Sequence, residues 1–89
     1  MMRWRDERDL MNACVYHMRA WLRLCNPSHP DRQRFGREYV HMLSSSEMGN
    51  VHGILTACSY LASDETHKRL KAVWERIYSK GCPPCNIPF

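Results

Sequence analysis

Ile54–Ile77 reads ILTACSYLASDETHKRLKAVWERI, and the way its two halves meet decides the fold. Ile54, Leu55, Cys58, Leu61 and Ala62 recur at helical spacing, and so do Leu70, Val73, Trp74 and Ile77. Between them, Ser63 or Asp64 stands where a helix N-cap belongs, so the chain turns tightly at Ala62-Ser63-Asp64. Two helices joined by so short a turn lie antiparallel, as neighbours in a bundle, or cross steeply.

Working upstream, Met48 and Val51 extend the same apolar face, and Ser44 with Glu47 carries the capping-box spacing of a helix start. Gly49, Gly53 and Ala57, spaced by four, add a strip without bulk where another helix could come close, in this chain or a second copy. Before that, "SHPD" opens a segment with Ser28 as a cap and Pro30 in the first turn. Phe35, Tyr39, Met42 and Leu43 line one side of it, and Gly36 weakens it modestly. The first segment runs from about Asp6 to Cys25, with Met11, Cys14, Val15, Met18, Trp21, Leu22 and Cys25 as its apolar face. Asn26-Pro27 ends it, since proline cannot continue the ladder and restricts the residue before it. Downstream, Gly81 suits a helix C-cap. Residues 82–89, with three prolines, form a non-helical tail to a helical domain spanning 1–81. The expectation is an all-α, compact single-domain bundle of about four helices.

Eighty-nine residues allow one domain with a modest core. The chain is 44% hydrophobic and 25% charged, with a net charge of +4, and ten of its thirteen basic residues are arginine. Arginine favours forked contacts to phosphate and carboxylate, which points to an anionic partner, nucleic acid or an acidic protein surface. The longest run without charge, Met48–Ser63, is interrupted by Asn50, His52 and two glycines, so no stretch is apolar enough to span a bilayer. The charged start, MMRWRDERDL, lacks the core of a signal peptide. Three of five cysteines fall in helical patterns, which favours reduced thiols. Together these give a soluble cytoplasmic protein, or a nuclear one in a eukaryote.

The opening stretch also resembles a helix-turn-helix unit. Ala57 and Leu70 stand where that motif wants a small and a buried residue, although Leu61 replaces the usual turn glycine. On that reading Lys68, Arg69, Lys71, Arg76 and Lys80 face nucleic acid, with Lys68 or Arg69 reaching bases. The plainer reading is a solvated helix face with an Asp64-Glu65 cap. In the first helix, Arg5, Arg8, Arg19 and Arg23 share a polar sector with Asn12 and Tyr16. Such a stripe suits a phosphate backbone or an acidic surface, and Asp6 and Asp9 dilute its field.

Cys82-Pro83-Pro84-Cys85 follows a helix C-terminus, where the dipole disfavours a thiolate, so redox exchange is poorly supported. With Cys25 and His29 the pair has the composition of a Cys3His zinc site. In an up-down-up-down bundle, however, the ends of the first and fourth helices lie at opposite poles. No phosphate loop, nucleophile elbow or convergent acid–base set points to an enzyme. The sequence therefore predicts a small basic, non-catalytic regulatory protein that binds nucleic acid or the machinery acting on it. The alternative is a protein-interaction module that blocks or bridges a larger target.

Overall fold

The computed structural model describes residues 4–26 and 28–81, without the side chains of residues 4, 5, 31 and 32. The described residues are helical and contain no strand: α1 (Trp4–Cys25), a five-residue α2 (Pro30–Arg34), α3 (Arg37–Leu61) and α4 (Asp64–Lys80). The three long helices form an elongated bundle of 45 × 19 × 18 Å. The tail at 82–89 lies outside the described residues.

Burial explains why these helices associate. On α1 the inward positions are Glu7, Cys14, Met18, Trp21, Leu24 and Cys25, and on α3 they include Ser44, Val51 and Cys58, the last three each seven residues from the next. Thr66, Leu70 and Trp74 face in from α4. A seven-residue rhythm keeps one seam facing its neighbours along a gently supercoiled bundle.

The later part of the second predicted segment and the third form a single helix, α3. Ser44 does not cap it: its side chain is buried, and its hydroxyl donates to the carbonyl of His41 at 3.2 Å. With no proline at this point, a buried serine back-bonded to its own helix replaces the expected break. The break falls instead at Gly36, the extended N-cap of α3 (φ −70°, ψ 162°). The continuous register turns Val40 and Ser44 inward and leaves Tyr39 and Met42 exposed. Leu61, read as part of the inward apolar face, ends α3 on its flank and is exposed.

Contacts at the two ends of the bundle define its topology. Glu7 of α1 meets Ser63 and Thr66 at the start of α4, whereas Trp21 of α1 meets Trp74 and Tyr78 near its end. Helices α1 and α4 are thus parallel, with α3 antiparallel between them in sequence. Their C-termini share one pole, which removes the expectation that they lie at opposite ends. His52 of α3 and Trp74 of α4 place their rings 6.2 Å apart, although each is about ten residues from the intervening turn. Arms of about 15 Å set near 90° would end about 21 Å apart. The contact is that of an antiparallel αα-hairpin.

Ser63 caps α4 as expected, its hydroxyl accepting the Thr66 N–H at 3.3 Å. Gly81 occupies the C-cap with φ −92°, outside the left-handed region, so a left-handed cap is not what favours glycine there. A Cβ at this position would collide with Cζ3 and Cη2 of Trp21, so glycine is required by close packing. Gly49 and Gly53 differ: a Cβ on either would meet no atom within 4 Å. Two glycines inside a helix cost about 2 kcal/mol relative to alanine, and no packing within the molecule explains them.

Candidate partner-binding surface on helix α1

The outward face of α1 follows from its inward one. With Cys14, Met18 and Trp21 buried, the opposite sector carries Arg8, Asn12, Tyr16 and Arg19, all exposed, and the partly exposed Arg23. Asn12, Tyr16, Arg19 and Arg23 gather around one shallow depression of about 360 Å³ floored by Val15. The stripe expected from the sequence is therefore assembled except for Arg5, whose side chain lies outside the described residues. Asp6 and Asp9 are exposed at its N-terminal end.

Tyr16 is 64% exposed and sits edge-on to His17, their rings 5.3 Å apart and 83° inclined. His17 Nδ1 lies 2.6 Å from Glu47 Oε2 of α3. The residue expected to complete a capping box instead ties α3 to α1 and steadies the ring beside Tyr16. No local pattern announces this pairing, which spans thirty residues.

The basic residues of α4 are all exposed but more dispersed. Arg69 is engaged by Glu65 at 2.8 Å in an i,i+4 ion pair, which lowers the net positive field there. Lys68, Arg76 and Lys80 surround no common depression among those described. Between α3 and α4 a groove of about 480 Å³ contains His52, His67, Lys71 and Glu75 over the edge of Trp74. The sequence did not bring these residues together, because their proximity depends on the hairpin.

Only two of the residues proposed for zinc, Cys25 and His29, are among the described residues. Cys25 is wholly buried in the core, His29 is half-buried, and Cys82 and Cys85 lie outside the described residues. Among the described residues no group of three potential metal ligands converges. Burial raises the Cys14 thiol from its ordinary 9 to about 11, with Cys58 adding to the shift. Burial also raises Cys58, helped by the nearby Glu7 charge. Both thiols are therefore protonated near neutrality and poor nucleophiles. Since the unfolded chain ionises Cys14 first, the stability held by its protonated thiol is intact below pH 9 and declines as pH rises toward 11, and the raised Cys58 acts in the same direction. Iodoacetamide labelling at pH 8, read by peptide mass spectrometry, is expected to modify Cys14 and Cys58 only as fast as the protein unfolds. Rapid labelling of either in the folded state would contradict their placement.

No helix among the described residues is long and apolar enough to cross a membrane. Compared with known protein families, curated proteins and solved structures, the chain matches none.

Proposed function

We propose that this chain is a small, non-catalytic regulatory protein that binds nucleic acid, or the machinery acting on it, through the arginine stripe of α1. The observation that supports this reading is the depression where Arg19 and Arg23 flank the exposed Tyr16. Guanidinium groups one turn apart can grip phosphates while the tyrosine ring offers a stacking face to an unpaired base. The exposed tyrosine face beside these guanidiniums favours a single-stranded segment, with its unpaired bases, over groove reading by α4.

An electrophoretic mobility shift with a single-stranded oligonucleotide, compared at low and moderate salt, tests the proposal. Three arginine–phosphate contacts would give a log–log salt slope of about −2 on single strands. Arg19→Glu with Arg23→Glu is expected to lower affinity on the order of 10–100-fold, with unchanged circular dichroism. Unchanged binding by the double variant would remove α1 as the contact surface.

The second reading is a protein-interaction module acting on an acidic surface. It is favoured by the groove over Trp74, where Lys71 and two histidines border an aromatic edge. A protein retaining pull-down of an acidic partner but showing no oligonucleotide shift would favour this alternative.

A further inference from the structure

We propose that the outer face of α3 is a self-association surface, on which a second copy of this chain packs its own α3 in antiparallel, two-fold symmetric contact. Met42, Ser46, Gly49, Gly53, Thr56 and Tyr60 are all exposed and separated by four, three, four, three and four residues. That alternation makes one straight stripe on a helix and is the spacing of a helix–helix seam. The stripe contains no charged residue, although a quarter of the whole chain is charged.

Its order suits a second copy in particular. The residues are arranged symmetrically about the level of Val51, with large side chains at both ends and glycines in the middle. In an antiparallel pair with its two-fold axis at that level, Met42 meets Tyr60 of the partner, Ser46 meets Thr56, and Gly49 meets Gly53. A two-fold contact requires one patch to be complementary to itself, and this pairing satisfies that requirement at three successive levels. The glycines, left open inside the molecule, are where two helix backbones would approach most closely.

A second observation lies at the end of the stripe. Tyr60 is 83% exposed, the most open of the exposed large apolar side chains described. Beside Met42 there is a shallow depression of about 540 Å³, formed by Gly36, Arg37, Glu38, Tyr39 and Met42. The antiparallel register places Tyr60 of each copy over this depression on the other. Knob and recess thus occur twice, related by the same axis.

The area sets the strength. The stripe is about 27 Å long and a helix about 10 Å wide, a footprint of about 270 Å² on each copy and about 540 Å² in total. That is small for a specific interface, so the dimer is a weak one that forms only at high protein concentration. The arginine stripe on α1 belongs to a different face, so this surface stands or falls independently of nucleic-acid binding.

Sedimentation equilibrium of the full chain from about 5 to 500 µM is the test. The wild type is expected to shift from monomer to dimer across that range. Gly53→Leu is expected to remain monomeric throughout while keeping or raising helicity and melting temperature, since a side chain there meets no neighbour. The register is tested by Met42→Lys and Tyr60→Glu: each alone should weaken association, and an equimolar mixture should recover a heterodimer. A parallel arrangement would not oppose these two positions. The proposal is overturned by a wild-type monomer at every concentration, by a Gly53→Leu dimer as strong as wild type, or by mixtures that associate no better than either variant.

Discussion

Glu7→Ala is expected to lower the unfolding free energy by about 3 kcal/mol, a large share of the roughly 5 kcal/mol available to a bundle this small. The side chain is only 5% exposed, yet it carries a carboxylate. Its Oε1 accepts the Ser63 N–H at 2.7 Å and its Oε2 accepts the Thr66 hydroxyl at 3.3 Å. The ring closes locally, because Ser63 Oγ accepts the Thr66 N–H and donates to Thr66 Oγ1 at 3.0 Å. One carboxylate from α1 thereby completes the N-terminus of α4, where partial positive charge favours an anion. Removing it leaves a backbone N–H and a buried hydroxyl without their acceptors, and each such loss costs about 1–3 kcal/mol. Glu7→Gln keeps one acceptor and should cost about 1 kcal/mol. Urea denaturation measures both, and a double-mutant cycle with Thr66→Val should show coupling of about 1 kcal/mol. An alanine variant within about 0.5 kcal/mol of wild type would mean that water replaces the carboxylate without penalty.

The sequence made parts of this legible and hid others for identifiable reasons. Helices α1 and α4 could be read because nothing interrupts their periodicity, from Cys14 to Cys25 and from Leu70 to Ile77. The capping serine at 63 acts through a partner three residues away, so local pattern is enough to find it. Ser44 and Glu47 carry the same local signature without its outcome. Glu47 has a partner in His17, thirty residues back, and Ser44 lies on the seam with Val51 and Cys58. A motif defined over four residues cannot register either fact. Glu7 was hidden by its type, since a carboxylate on an inward position contradicts the usual rule of burial. Its spacing of seven from Cys14, and Cys14's spacing of seven from Trp21, was the available signal.

The surface divides in the same way. The α1 stripe was visible because exposed residues on one helix need only a helical wheel to be placed. The outer face of α3 was obscured by dividing that helix at Ser44, which put Met42 and Gly49 on different elements. Once α3 is continuous, the two lie on one line with Tyr60. The groove above Trp74 required the hairpin, and therefore tertiary structure, before His52 and His67 could be neighbours.

Trp21→Ala is expected to cost about 3–5 kcal/mol, enough to leave the chain without fixed tertiary packing at 25 °C. Trp21 is 1% exposed and held by aromatic contacts on two sides. The Trp74 ring meets it edge-on at 5.2 Å, and Tyr78 stacks on it at 5.1 Å with only 15° between the planes. Gly81 closes over the Cζ3–Cη2 edge. This cluster fixes the C-terminal pole of the α1–α4 pair, as Glu7 fixes the N-terminal one, but by apolar contact instead of hydrogen bonds. Its loss should abolish the near-ultraviolet dichroism while leaving much of the far-ultraviolet helical signal, the pattern of a collapsed chain without fixed packing. Gly81→Ala tests the same cluster by addition, and overpacking against the ring should cost about 1–3 kcal/mol. If Trp21→Ala instead unfolded cooperatively near the wild-type midpoint, the pole would have to be held by contacts other than these rings. If Gly81→Ala alone were harmless, the close approach to Trp21 would be dispensable and the C-cap position would need no glycine, since its φ is already negative.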